Sequence, residues 1–376
     1  MLHWRRPPLK TLTPTVIHRP HPLASRGALP RSSGRIHRAV CRAFGPRRRP
    51  SGLILLYHRI AALTSDPQLL SVTPHHFGQH LDVLRQYSRP MTLAQVRAAL
   101  GDKRLPDRAV VVTFDDGYAD NVECGKPLLE QHGIPATVFV TTSYVGQERE
   151  FWWDDVERLL LMPGRLPEPL RLQIGSTVHE WRLGDTAVYS EEEHQRNSAW
   201  NVEVAHDPSP RHSVYRALCG LLRVRSGDQR TAILDELSRI VGVPSTARPT
   251  HRPLSNERLA RLAEDGAVQV GAHSTTHAPL SALHVTAQRS EIAGSKARLE
   301  DIIGRRVTSF AYPFGGRADY TSTTVRLVRE AGFALACSNI RGVVHSRSDE
   351  FQLPRMLVRN WDADTFASRL AEWLGD

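Results

Sequence analysis

The sequence lacks several features that would place it in a specialised class of protein. Its four cysteines lie far apart and form no CxxC pair, which argues against a disulfide framework and against a thiolate metal site. No apolar run reaches about 18 residues, so we expect no transmembrane helix. The first 50 residues also lack the apolar core of a secretory signal, and we expect a cytoplasmic or membrane-associated protein.

Acidic residues are absent from positions 1–50, although these positions contain eleven arginines and one lysine. Because the whole chain has a formal charge of +10, residues 51–376 sum to −2. This does not favour nucleic-acid binding by the body of the protein. We predict that the proline-rich stretch 1–50 is a disordered basic tail that could touch a membrane surface. A start assigned too far upstream would explain it equally well.

Beyond the tail, short apolar segments alternate with amphipathic ones. Residues 53–57, 109–114 and 136–141 are typical of buried strands, whereas residues 74–87 place apolar side chains on one helical face. This alternation predicts the α/β class, with parallel strands and helices outside, and the number of strands favours a closed or nearly closed barrel. The alternation is interrupted at about 148–253, which we interpret as a partly helical insertion in a domain that spans 51–376.

Two adjacent carboxylates follow the strand predicted at 109–114, in the motif TFDDG. Asp115 and Asp116 are a poor structural choice side by side, because each raises the free-energy cost of ionising the other. A simple turn would explain one of them as a helix cap but not both. Adjacent residues at a strand end can point in different directions, so one carboxylate can bind a metal while the other faces a water molecule.

Two histidines follow the strand predicted at 267–271, in the motif HSTTH. Their i, i+4 spacing predicts a single helical turn with His273 and His277 on one face, as the ligands of a divalent metal require. With one carboxylate of the Asp-Asp pair they make a set of two imidazoles and one acid. Such a set leaves open positions for water and substrate, which is usual in hydrolytic metal sites.

A third strand end carries the motif AYPFGG. Pro313 stiffens this loop, and the glycines allow a backbone N–H to approach a bound oxygen, so the Phe314 amide is a candidate oxyanion donor. Tyr312 and Phe314 could also wall a sugar pocket, although simple packing would explain them as well.

The motifs TFDDG, HSTTH and YPFG, in this order and each at a strand end, resemble those of the polysaccharide deacetylase family. This family is also called the NodB homology domain or carbohydrate esterase family 4, and the resemblance covers about residues 52–147 and 254–360. It implies a distorted (β/α) barrel, a divalent metal, with zinc expected first, and removal of acetyl groups from an N-acetylated glycan or exopolysaccharide. By position, Asp115 would be the general base, and the metal ligands would be Asp116, His273 and His277.

The sequence departs from the family pattern in two places. No Leu-x-His motif follows residue 345 to supply the general acid, and Thr308 and Ala311 stand where the arginine that orients the base would fall. In a closed barrel the first and last strands are neighbours, so His58 at the end of the first strand can replace that acid. This resembles the circularly permuted branch of the family, in which an N-terminal Tyr-His supplies the acid. Arg355, near the last strand, is the candidate for the missing arginine.

Two other functions stay open on the sequence alone. The same metal site could cleave an O-acetyl ester or another acyl group, or the chain could bind saccharides without catalysis. Three tryptophans of the 148–253 segment could stack on sugar rings, but we interpret them as packing anchors. They are Trp152, Trp153 and Trp181.

Overall fold

Seven parallel strands close into a barrel in the computed structural model, which describes residues 51–264 and 266–375. The strands are β1 (Gly52–Tyr57), β2 (Ala109–Phe114), β3 (Ala136–Val140), β4 (Val268–Ala272), β5 (Ser309–Ala311), β6 (Leu335–Arg341) and β7 (Leu353–Leu357). Each strand pairs with the next in this order, and β1 pairs with both β2 and β7. The predicted distorted (β/α) barrel is therefore confirmed. The tail predicted at 1–50 lies outside the described residues.

Helices surround the barrel and fill much of the 148–253 segment. They are α1 (Pro74–Tyr87), α2 (Leu93–Gly101), α3 (Lys126–His132), α4 (Trp152–Leu160), α5 (Glu191–Asn197), α6 (Pro210–Arg223), α7 (Gly227–Val241), α8 (Asn256–Ala263), α9 (Val285–Ile303), α10 (Ser322–Glu330) and α11 (Ala363–Leu374). Short strand pairs lie outside the barrel, at Arg59–Ile60 with Ser71–Val72 and at Gly164–Arg165 with Val188–Tyr189. No helix in the described part of the chain has both the length and the apolar character needed to cross a membrane.

Apolar burial explains why the barrel and its helices form where they do. All six residues of β1 and all six of β2 are buried, as expected for strands that have the barrel interior on one side and helices on the other. Helix α1 begins at a threonine cap, where the Thr73 hydroxyl accepts a hydrogen bond from the His76 N–H. Its Phe77 and Leu81 side chains are 0% exposed, and each such burial contributes about 1.5–3 kcal/mol.

The register of the strands brings their carboxyl ends to one end of the barrel. Tyr57 is paired with Phe114, so the residues that follow β1 and β2 emerge side by side. Ala272 is paired with Val140 and with Phe310 in the same way. The polar motifs that follow β1, β2, β4 and β5 therefore meet at this end, where parallel α/β barrels carry their active sites.

The 148–253 segment has an apolar cluster of its own beside the barrel. Helices α4, α6 and α7 pack together there through buried side chains such as Val156, Tyr215, Leu218 and Leu237. A hairpin of Leu170–Ile174 and Thr177–Trp181 completes it. This hairpin is not among the elements predicted from the sequence, although its first strand alternates buried and exposed residues, the pattern typical of a half-buried strand.

Candidate active site

The chain turns sharply after β2 and so directs Asp115 and Asp116 to different partners. Backbone φ is 74° at Asp116 and 90° at Gly117, both in the left-handed region. A side chain at Gly117 would meet a Val140 methyl at 3.0 Å, so this position requires glycine both for its conformation and for space. Both carboxylates are buried, with 3% exposure for Asp115 and 2% for Asp116.

Asp115 is held by Arg355 of β7. The two terminal nitrogens of the guanidinium each donate a hydrogen bond of 2.7 Å to a different carboxylate oxygen, and Arg355 Nε donates to the Ser338 carbonyl at 2.8 Å. Burial by itself would raise the pKa of Asp115, but Arg355, and after it His273, outweigh burial and lower this pKa to about 2. Asp115 is therefore ionised at neutral pH.

Asp116, His273 and His277 form a cluster whose geometry suits a divalent metal. Asp116 Oδ1 lies 3.3 Å from His277 Nε2 and 3.7 Å from His273 Nε2, and one ligand atom from each residue lies within 4.8 Å of the others. Asp116 Oδ1 has no hydrogen-bond partner among the described residues, and a buried carboxylate oxygen left in this way is costly unless a cation meets it. Two imidazoles and one carboxylate are the donors that zinc prefers.

The loop that carries the two histidines is not helical, so the predicted helical turn is wrong. Ser274 and His277 have φ values of 61° and 56°, and side chains rather than a helical backbone hold the loop. Ser274 Oγ accepts a hydrogen bond from the His277 N–H, Glu291 accepts from the Thr276 N–H, and Arg230 donates to the carbonyls of Thr276 and His277. The imidazoles still meet, with ring centroids 4.9 Å apart.

His58 faces the same cavity as the two carboxylates. It lies half-buried between β1 and Arg59, and burial lowers its pKa, although the charges of Asp116 and Asp115 partly offset this effect. The closed barrel thus places His58, after its first strand, at the cavity, and Arg355 of its last strand against Asp115.

The loop after β5 brings one of its three predicted residues to the cavity. Phe314 lines the cavity, and its backbone φ is 58°. Its N–H has no hydrogen-bond partner in the part of the chain that the structure describes. Tyr312 instead packs in the core, 1% exposed, with its hydroxyl donating to the Phe351 carbonyl and its ring stacked on Tyr320. Pro313 connects the two and is not among the residues that line the cavity.

The cavity has a volume of about 510 Å³ and lies between the barrel and the 148–253 segment. This volume is within the range of about 300–1,000 Å³ that is common for small-molecule sites. The segment contributes a wall of the cavity, which is one face of α6 and was not predicted from the sequence. Its residues recur at i, i+3, i+4 and i+7, a spacing that could have revealed a shared face; they are Arg216, Cys219, Gly220 and Arg223.

The tryptophans predicted as packing anchors divide into two groups. Trp152 and Trp153 are 4% and 5% exposed, belong to the apolar cluster of the segment, and also line the cavity. Trp181 is half-buried at the end of the hairpin, where it packs against the same cluster and stacks on His179.

A second group of metal-type side chains lies between the barrel and the segment. One ligand atom each from Asp154, Glu157 and His251 comes within 4.8 Å of the others, but a neighbour already donates to one oxygen of each carboxylate, while Glu157 Oε1 has no partner among the described residues. The Tyr118 hydroxyl donates to Asp154 at 2.7 Å, and Arg248 donates to Glu157 at 2.9 Å. We therefore interpret this group as a buried polar network that joins the two parts.

Comparison with known proteins agrees with this site. The polysaccharide deacetylase family model matches residues 102–163 and 240–336. The chain contains a polysaccharide deacetylase domain. The matched ranges include the TFDDG, HSTTH and YPFG motifs, and the family resemblance predicted from them is confirmed. Residues 164–239, which include α6 and its face of the cavity, fall between the two matched ranges.

Curated relatives of the domain match over short stretches. The chain is 30% identical to YxkH of Bacillus subtilis (strain 168) over 109 residues, which are 28% of this chain and 37% of YxkH. It is 33% identical over 91 residues to the poly-β-1,6-N-acetyl-D-glucosamine N-deacetylase of Escherichia coli (strain K12), which are 24% of this chain and 14% of that enzyme. The chain therefore covers well under two thirds of the length of these relatives.

Solved structures share the fold of the domain over most of the chain. The deacetylase PplD of Streptococcus pyogenes, in complex with acetate, superposes with a TM-score of 0.53 at 16% identity, covering 86% of this chain and 99% of PplD. IcaB from Ammonifex degensii superposes with a TM-score of 0.52 at 18% identity, covering 88% of this chain and 99% of IcaB. At these identities the similarity establishes the fold alone.

Proposed function

We propose that the chain is a metal-dependent hydrolase that removes acetyl groups from N-acetylated sugars of a polysaccharide or glycan intermediate. One observation carries the proposal: the ionised Asp115 and the cluster of Asp116, His273 and His277 face a single cavity. The name of the E. coli relative, a deacetylase of an N-acetylglucosamine polymer, supports this class of substrate.

Asp116, His273 and His277 would hold the divalent ion, for which zinc is the first choice. His273 Nδ1 contacts the Ala311 carbonyl at 2.9 Å, which leaves Nε2 to face Asp116, as is usual for a histidine that binds a metal. When bound, the ion would act as a Lewis acid toward the acetyl carbonyl and would acidify a water molecule.

Asp115 would act as the general base. Arg355 keeps this carboxylate ionised and fixes both of its oxygens, so Asp115 is ready to take a proton from the attacking water. The Phe314 N–H, which has no partner among the described residues, would donate to the oxygen that becomes negative during attack.

His58 would act as the general acid. The C–N bond of an amide breaks slowly unless the departing nitrogen receives a proton. His58 lines the same cavity; burial lowers its pKa, and the charges of Asp116 and Asp115 offset part of this effect. An acid delivered after β1 and an arginine delivered by β7 would relate this domain to the circularly permuted branch of the family.

The test is acetate release from N-acetylglucosamine oligomers by protein that is first stripped of metal and then reloaded with zinc. We expect zinc-dependent release that is lost in Asp115→Asn, a variant that keeps the shape of the side chain and leaves Asp116 free to bind zinc. Loss of zinc binding in this variant would contradict the separate roles of the two carboxylates. Release only from O-acetylated sugars would identify an esterase, and zinc binding with no release from either would favour a non-catalytic protein or an unrelated acyl substrate.

A further inference from the structure

The two histidines of the metal-type cluster differ in what orients their rings. His273 is fixed through the contact of its Nδ1 with the Ala311 carbonyl. His277 Nδ1 is buried and has no hydrogen-bond partner among the residues that the structure describes. Because a histidine that binds a metal usually has its second ring nitrogen hydrogen-bonded, the orientation of His277 must be fixed in another way.

Two aromatic rings enclose the imidazole of His277. The centroid of Trp153 lies 5.0 Å from the His277 centroid at an interplanar angle of 61°, and that of Phe314 lies 4.7 Å away at 68°. Edge-on contacts of this kind are favourable and directional. Above Phe314, the guanidinium carbon of Arg223 lies 4.2 Å from the ring centroid, and Arg223 also bonds Asp319 at 2.5 Å. Trp153 and Arg223 both come from the 148–253 segment.

Trp153 is itself held by a buried chain of hydrogen bonds. Its Nε1 donates to the Tyr118 hydroxyl at 2.7 Å, and that hydroxyl donates to Asp154 Oδ2 at 2.7 Å. The guanidinium carbon of Arg59 lies 4.3 Å from the centroid of the Tyr118 ring. With Trp153 only 5% exposed and Tyr118 0% exposed, little of the indole face is left for stacking on a sugar.

We propose that Trp153 is a positioning residue for His277 and that Tyr118 fixes Trp153 through its hydroxyl group. Through Trp153, the 148–253 segment then helps to orient a candidate metal ligand, and it also forms a wall of the cavity. This inference rests on the proposed function, which makes His277 a metal ligand. It adds the side chains that keep that ligand in place.

The test measures metal affinity rather than turnover. Metal-free protein is titrated with zinc in competition with a chromophoric chelator, and cobalt-loaded protein is examined by visible absorption, which reports ligand geometry. Loss of a residue that orients a metal ligand typically weakens metal binding 10–100-fold. We expect such a loss in Trp153→Leu together with a changed cobalt spectrum, and a smaller loss in Tyr118→Phe, which removes one oxygen atom.

Two control variants separate positioning from general destabilisation. Trp373→Leu removes a ring of the same size from α11, and Tyr189→Phe removes a buried hydroxyl from the segment; we expect both to bind zinc as the wild type does. Tyr118→Phe keeps the test valid if Trp153→Leu does not fold. The proposal is overturned if folded Trp153 and Tyr118 variants keep wild-type zinc affinity and cobalt spectra, or if the controls lose as much affinity. Zinc binding by the wild type without acetate release would refute the proposed function alone, whereas no zinc binding would overturn both.

Discussion

Arg355 and Asp115 are joined by two parallel hydrogen bonds of 2.7 Å, although 240 positions separate them in the sequence. Both are buried, and the bond connects the last strand of the barrel to the end of the second. A bidentate pair of this kind fixes the position of the carboxylate as well as its charge. Arg355 thus contacts Asp115 as the base-orienting arginine of the family motif would be expected to do, whereas Thr308 and Ala311 stand at the positions expected for that arginine.

Replacing Arg355 should alter both the rate and the pH dependence of catalysis. Without the guanidinium, burial raises the pKa of Asp115, so the acidic limb of the kcat/KM profile moves to higher pH. A displaced base costs roughly 100-fold in rate. Arg355→Lys should retain more activity than Arg355→Ala because lysine keeps the positive charge, but less than the wild type because it cannot form the bidentate contact. Arg341→Ala, which removes an exposed arginine on β6, is the control. An unchanged pH profile in Arg355→Ala would rule out this role.

Replacing His58 should affect substrates according to their leaving group. An amine must be protonated as it departs, whereas the phenolate of 4-nitrophenyl acetate leaves unaided. We therefore expect His58→Ala to lose about 10²–10⁴-fold in acetate release from N-acetylglucosamine oligomers and to change little toward the activated ester. Asp115→Asn, which removes the base, should lose activity toward both. Equal losses in His58→Ala on both substrates would mean that His58 is not the acid.

Zinc should stabilise the protein through Asp116. A ligand that binds only the folded state adds about 2.7 kcal/mol to the free energy of unfolding at 100 times its Kd. Asp116→Asn should lack this increment, because the amide removes the buried negative charge that faces the two histidines. Since burial raises the pKa of Asp116, its ionised form costs stability at neutral pH, and the metal-free variant should be at least as stable as the metal-free wild type. Thermal unfolding with zinc and with a chelator measures the zinc increment and the metal-free stability. A zinc increment that survives in Asp116→Asn would contradict the role of Asp116 as a metal ligand.

Buried neutral histidines should make the metal-free protein lose stability as the pH falls. Burial lowers the pKa of His80 to about 4, and burial together with Arg248 and Arg59 lowers that of His251 to about 2. In the unfolded chain these groups titrate near 6.5. The unfolded state therefore binds more protons between pH 6.5 and 4, and each histidine removes up to about 1.4 kcal/mol of stability per pH unit there.

The measurement that checks this effect is chemical denaturation of metal-free protein at several pH values. His80→Gln should be less stable at pH 7.5, because the contacts of the imidazole with Tyr57 and the Trp361 carbonyl are lost. Its stability should nevertheless fall less steeply below pH 6.5 than that of the wild type. His345→Gln, at an exposed position, should follow the wild-type curve. A slope in His80→Gln as steep as that of the wild type would show that His80 does not contribute.

The barrel and most of the site could be predicted because they depend on local patterns and on chain order. Buried strands are apolar runs, and parallel strands place the residues that follow them at one end. Barrel closure then predicted His58 as the candidate acid, and Arg355 near the last strand was the candidate for the missing arginine. The helical turn at His273 was wrong because i, i+4 spacing also fits a loop, and distant side chains such as Arg230 and Glu291 hold this one.

The cavity wall and the surroundings of His277 could not be predicted, because they depend on tertiary packing. Nothing near Trp153 in the sequence indicates that its ring meets an imidazole 124 positions later. The contact of the Arg223 guanidinium with the Phe314 ring likewise depends on how α6 lies across the barrel. The chemistry of the individual groups was readable from the sequence, but their assembly across the boundary with the 148–253 segment was not.

The barrel closes only when β1 meets β7, and this closure has a consequence for synthesis on the ribosome. His58 is translated early, whereas Arg355 emerges after almost the whole domain has been made. A nascent chain that has formed β1 to β4 already holds both carboxylates and both histidines, but it lacks the guanidinium that fixes the base. The hydrolytic competence that we propose would therefore be acquired only when β7 completes the barrel.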